Sequence, residues 1–192
     1  MRSIALTGGM GSGKTTVLRM LRKAGVATID CDAIVAELYG KKAVQKKLAG
    51  IFGSHSKGKI AEIVFKNSEK RGKLQRLLHP LVWREVQRLL RKFRAAGKNV
   101  VVTDVPLLFE AGWQKRFHGA IVVFAPKKQC LQRLRGKGVP KKAALQRMAA
   151  QAPIAEKINK AQFIIDNTGS MAYTRLQARA LAAKLKNKLS EK

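Results

Sequence analysis

Residues 8–15 read GGMGSGKT: a glycine, four residues, a second glycine, then lysine and threonine. This octet constrains the fold more than any other stretch, because its chemistry requires a strand before it and a helix after it. Both are present. The apolar segment SIAL precedes it, and Val17, Met20, Leu21 and Ala24 recur at helical spacing behind it until Gly25. Glycines let such a loop curl so that successive amides point inward at phosphate oxygens, and the helix N-terminus adds its partial positive charge. In that arrangement Lys14 spans the β- and γ-phosphates of a nucleotide, and the Thr15 hydroxyl faces magnesium. A plain glycine turn ahead of a helix would account for neither residue.

The rest of the chain repeats the strand–helix alternation. Val26–Asp30, NVVVTD (99–104), GAIVVFA (119–125) and QFIID (162–166) are apolar, β-branched runs. Between them, residues 82, 86, 89 and 93, and later Tyr173, Leu176, Ala180 and Ala183, keep a helical period. Continuous apolar strands separated by helices predict an α/β fold with a mainly parallel sheet covered on both faces. The interval 36–96 lacks a strand pattern and reads as a helical insertion. A second excursion, 126–158, is bounded by Pro126 and Pro153 and carries Arg133, Arg135, Lys137, Lys141, Lys142 and Arg147. Ligands of open parallel sheets bind beyond the carboxyl ends of the strands, so both excursions can close over such a site. The expected core is then 1–35, 97–125 and 159–192, with a binding insertion and a lid.

A chain of 192 residues, 46% hydrophobic, has enough apolar material for one domain with an insertion, and none of its apolar runs reaches the length of a membrane span. Met1 leads directly into the first strand segment, and Cys31 and Cys130 are isolated in sequence. The expectation is a soluble cytoplasmic protein with reduced thiols and no membrane partner. Forty Lys+Arg against 11 Asp+Glu leave a net charge of +29. The bases are scattered (KKAVQKK, RLLRKFR, KLKNKLSEK), a pattern of a solvated surface more than of a binding arm.

The few acids are more informative: Asp30, Asp32, Asp104 and Asp166 fall at predicted strand ends. Asp30 and Asp32, one residue apart at the end of the second strand, share a face if the two-residue period continues. A carboxylate there can take the proton of an attacking hydroxyl or hold a magnesium-bound water. The alternative is a pair of helix caps ahead of AIVAEL, and the two roles can be divided between them.

ALTGGMGSGKT, TIDCDAI, VTDVPLLFEAGW and IIDNTGS, in this order and spacing, resemble dephospho-coenzyme A kinases, as do AEIVF, LLHPLV and RMAAQAP. The resemblance spans nearly the whole chain. It implies a three-layer P-loop NTPase fold and transfer of the ATP γ-phosphoryl to the ribose 3′-hydroxyl of dephospho-coenzyme A, with magnesium as cofactor. It further implies Asp32 as general base, with Lys14 and Arg133 as the other catalytic residues. ATP would be bound by Gly9, Met10, Gly11, Ser12, Gly13, Lys14, Thr15, Thr16 and Asn167, with Asn167 toward adenine. Asp30, Asp32, His79, Glu110 and Arg147 would serve the acceptor side. His79 reads equally as a packed residue at a helix start before Pro80. Asp104 reads either as orienting magnesium through water or as capping the next turn.

Lys137 and Lys57 stand where this family generally carries arginine, Gln162 where it often carries aspartate, and Lys141 and Lys142 where acids are common. One rival reading is another P-loop nucleoside or nucleotide kinase. The other is a basic nucleic-acid-binding protein on the same fold, but no aromatic residues interleave with the basic runs, so only nonspecific adhesion to nucleic acid is expected.

Overall fold

All five apolar runs are strands in the computed structural model of the chain, which describes residues 1–187. They are β1 (Arg2–Gly8), β2 (Ala27–Asp30), β3 (Val100–Asp104), β4 (Ala120–Phe124) and β5 (Phe163–Asp166), in the spatial order β2-β3-β1-β4-β5. Residues 188–192, part of the expected core and of the KLKNKLSEK segment, lie outside the described residues. β1 pairs in parallel with β3 on one side and β4 on the other, and β4 pairs in parallel with β5. Leu6 lies opposite Asp104 and Gly8 opposite Val123, so the glycine-rich loop leaves the sheet from its middle strand.

Helix α1 (Lys14–Lys23) buries Val17, Leu18 and Leu21 against Ile4, Leu6, Val100, Val102, Ile121 and Val123. The same face receives Ala178, Leu181, Ala182 and Leu185 of the last helix. Val101 and Val122, which alternate to the other face, are fully buried as well, which is why these strands carry no polar alternation.

The chain forms two compact units, residues 1–29 with 93–192, and residues 30–92. The second is built from α2 (Cys31–Gly40), α3 (Lys42–Phe52), α4 (Lys57–Lys66) and most of α5 (Ser68–Ala95). Its own core is Val44, Leu48 and Phe52 of α3, Ile60 of α4 and Leu78 of α5. The first unit continues with α6 (Lys127–Arg135), α7 (Lys141–Ala149), α8 (Ile154–Asn159) and the last helix α9 (Met171–Asn187).

Three local expectations are corrected. β2 ends at Asp30 and Cys31 already begins α2, so the two-residue period does not reach Asp32, which sits in the first helical turn. His79 and Pro80 lie inside the 28-residue α5, not at a helix start. A proline there forgoes one backbone hydrogen bond, a loss the apolar residues on either side of it, Leu78 and Val82, offset by burial. In α9 the helix is where the period predicts, but Tyr173, Leu176, Ala180 and Ala183 face outward, Leu176 being 66% exposed. The buried stripe is Thr174, Ala178, Leu181, Ala182 and Leu185. A bond from the Thr174 hydroxyl to Asn167 Oδ1 (2.8 Å) fixes the rotation, and the small Ala178 and Ala182 suit close packing on the sheet.

Candidate active site

The loop between β1 and α1 owes its shape to glycines at positive φ. Gly13, at φ 100°, is the residue before α1, and a Cβ there would overlap Asn167 Nδ2. Gly11, at φ 81°, lies under α6, where a Cβ would come within 2.8 Å of the Cys130 carbonyl oxygen. Neither position accepts a side chain without displacing its neighbour.

Gly13 offers no side-chain cap, and the first turn of α1 contains no acid. The Thr16 amide already donates to the Gly13 carbonyl at 3.0 Å, but no carboxylate of the turn competes for the amides at the helix start, so loop and helix N-terminus together suit an external anion. Lys14 curls back over the loop, its Nζ donating to the Gly8 carbonyl at 3.4 Å. Thr15, beside it, is exposed. Ser12 is buried, and its hydroxyl makes no hydrogen bond among the described residues.

The loop is clasped from outside. The Ser12 carbonyl accepts from Asn167 Nδ2 at 2.7 Å and from Arg133 Nη1 at 3.3 Å, while Arg133 Nη2 donates to the Asn167 carbonyl at 2.8 Å. Arg133 therefore stands at the cradle. Asn167 reaches it too: its amide donates to Ser12 and accepts from Thr174, so it braces the loop. Met10 N–H donates to Gln151 Oε1 at 2.9 Å, a contact that sequence reasoning missed although RMAAQAP contains this glutamine.

Glu110, expected on the acceptor side, is engaged internally. Its Oε1 accepts from Lys157 Nζ at 2.6 Å and from the Ala152 amide at 2.9 Å. Lys157 is 1% exposed and the Glu110 side chain 16%. Burial pushes the Glu110 carboxyl up, but the Lys157 hydrogen bond, the amides of Glu110 and Ala152 and the Lys157 charge outweigh it and hold the carboxyl below its ordinary value. Lys157 had no signal in sequence, since a lysine in AEKINK reads as surface. Arg147 is exposed on α7.

In the second unit, Asp30 is the cap: its Oδ1 accepts from the Ala33 amide at 3.1 Å. Asp32, in the turn that this cap starts, is exposed and makes no hydrogen bond or ion pair among the described residues. The division left open between capping and chemistry thus assigns the cap to Asp30. His79 is half-buried on α5.

For a divalent cation the available donors are hard oxygens, the Thr15 hydroxyl and the Asp104 carboxylate at the buried end of β3. Among the described residues no cluster of three His, Cys, Asp or Glu side chains could cage a metal. That donor set fits magnesium, which keeps waters and shares phosphate oxygens, and does not fit zinc.

Comparison with known proteins agrees with this geometry. The family model described as dephospho-CoA kinase matches residues 2–173. A dephospho-CoA kinase of Carboxydothermus hydrogenoformans is 37% identical over 194 residues, covering 95% of this chain and 94% of that one. A Thermus thermophilus crystal structure superposes with a TM-score of 0.83 at 32% identity, covering 97% of each chain. A dephospho-CoA kinase from Campylobacter jejuni, at 24% identity and TM-score 0.70 over 97% of this chain and 98% of that one, shares the P-loop kinase fold. The cradle, the parallel sheet and these likenesses converge: the chain belongs to the dephospho-CoA kinase family, whose enzymes phosphorylate dephospho-CoA with ATP in the final step of CoA biosynthesis.

Proposed function

We propose that this chain transfers the γ-phosphoryl of ATP to the ribose 3′-hydroxyl of dephospho-coenzyme A, with Asp32 as the general base. The observation that carries the proposal is the first turn of α1, without side-chain cap or acid, behind left-handed Gly13, with Lys14 folded over the loop. Phosphoryl transfer passes through a loose transition state, so positioning and electrostatics do most of the work. The loop amides and Lys14 hold the β- and γ-phosphates and draw off charge as the bridging bond breaks. Arg133, fixed by the Ser12 and Asn167 carbonyls, supplies a second cation beside them. Thr15 and Asp104 would hold magnesium, which neutralises phosphate oxygens when bound. Asp32, free of capping duty, accepts the proton of the 3′-hydroxyl as its oxygen attacks phosphorus.

His79 and Arg147 are assigned to the acceptor, and residues 126–158 to a lid over the nucleotide. Glu110 and Asn167 serve by holding lid and loop segments in place. No helix among the described residues is long and apolar enough to cross a membrane, and we assign the protein to the cytoplasm. Nucleic acid is bound only nonspecifically, through net charge.

The test is an acceptor panel with ATP and magnesium, products identified by mass. Phosphorylated dephospho-coenzyme A supports the reading, and a different phosphorylated acceptor overturns it. Asp32→Asn is expected to bind ATP normally while turnover falls by about 10²–10⁴. Unchanged turnover moves the base elsewhere.

A further inference from the structure

The clasp on the glycine-rich loop is uneven. Its C-terminal half is tied through Ser12 to Asn167 and Arg133, and through Gly13, whose carbonyl accepts the Thr16 and Val17 amides, to α1. For residues 9–11, at the crown, the bond from Met10 N–H to Gln151 Oε1 is the one side-chain hydrogen bond among the described residues. We propose that Gln151 is a positioning residue for phosphoryl transfer: it holds the crown of the loop in the form that receives the triphosphate and ties it to the lid. The proposal rests on the functional reading above.

The reach of Gln151 is fixed from both sides. Its own amide donates to the Met148 carbonyl at 3.1 Å, closing the end of α7. The next residue, Ala152, donates to Glu110 Oε1, which the buried Lys157 also holds. The orientation of the Gln151 amide follows from chemistry: the flipped form would set an NH2 against the Met10 N–H, donor against donor. Gln151 Nε2 makes no hydrogen bond among the described residues, so both protons remain for water or a ligand. A carboxylate at 151 would still accept from Met10 but would place a negative charge beside the phosphates. The neutral amide is the group that can accept from the loop without repelling its ligand. Because only the cap residue Ala150 separates Gln151 from the lid helix that carries Arg147, displacement of that helix pulls on Met10. Loop shape and lid position are thereby coupled through one side chain.

The experiment compares the full chain with Gln151→Met, which keeps length and loses the acceptor, and Gln151→Glu, which keeps the acceptor. Amide exchange of Met10 is read by NMR on 15N-labelled protein without nucleotide, alongside ADP affinity, kcat and melting temperature. In Gln151→Met the Met10 amide is expected to exchange at least about tenfold faster and the Val17 amide at its former rate. ADP binding should weaken roughly three- to tenfold, and kcat should fall at least as far, with the melting temperature within about 4 °C, as for loss of one hydrogen bond. Gln151→Glu should restore Met10 protection while ADP affinity stays low. Unchanged Met10 exchange in Gln151→Met overturns the proposal, and so does unchanged kcat. A uniform rise in exchange with a large melting shift also overturns it, as a purely structural role. If dephospho-coenzyme A is not the acceptor but exchange and ADP affinity behave as described, the functional reading fails and the positioning role stands.

Discussion

Replacing Glu110 by alanine strands a lysine that is 1% exposed, with its 2.6 Å partner gone and the Ala152 amide unmatched. Breaking a buried ion pair by removing one member costs about 3–5 kcal/mol, and the partial exposure of Glu110 places this case near the lower figure. For a chain of this size each kcal/mol moves the melting temperature by about 2–4 °C, so the expected drop is roughly 6–12 °C. Lys157→Met should cost less, about 1–2 kcal/mol, because the carboxylate left behind keeps the Ala152 amide and some water. The double variant should be more stable than the sum of the singles by at least about 1.5 kcal/mol, since the stranded charge disappears. Thermal and urea unfolding of the four proteins closes the cycle. The same pair sets a pH dependence. The Glu110 carboxyl lies below its ordinary value of 4.5, so its contribution is complete above that pH and is lost as pH falls through the depressed folded value. Glu110→Ala should therefore flatten the acid limb of a stability–pH profile. Additivity within about 0.5 kcal/mol, or an acid limb unchanged in the variant, would refute a coupled buried pair.

Lys14→Ala should lower kcat/KM by about 10²–10³ while leaving the melting temperature within about 2 °C, measured by coupled ADP release and by calorimetry. Gly13→Ala should abolish nucleotide binding and lose at least about 1–2 kcal/mol in urea unfolding, from left-handed strain plus overlap with Asn167. A net charge of +29 repels itself, so salt between about 0.05 and 0.3 M should raise the melting temperature, and adhesion to single-stranded RNA should collapse over the same range.

What could be read from sequence follows from range. The strands are contiguous apolar runs and the cradle is a contiguous octet, so both were visible before any tertiary information. Which stripe of α9 is buried depends on the sheet beneath it and on a bond from Thr174 to Asn167, and the sequence offers apolar residues on both stripes. The Asp30–Asp32 pair was misplaced by a single residue, because a strand that turns straight into a helix gives no loop signal between them. Gln151, Lys157 and Glu110 act through partners 141, 47 and 42 positions away, and pairings at such distances leave no periodic trace. Asn167 also steadies the loop through Ser12, a task the sequence does not announce, since a side chain that braces a loop and one that greets a ligand look alike as letters.

β1 is bonded along both edges, and the cradle is its continuation. Warming can fray the edge strand β2 first, since β5 at the other edge leads into Asn167 of the clasp, and residues 30–92 hold a core of their own that can melt separately. The grip on nucleotide should then outlive much of the surrounding architecture, so that a heat-damaged sample still retained by immobilised ADP need no longer turn over its acceptor.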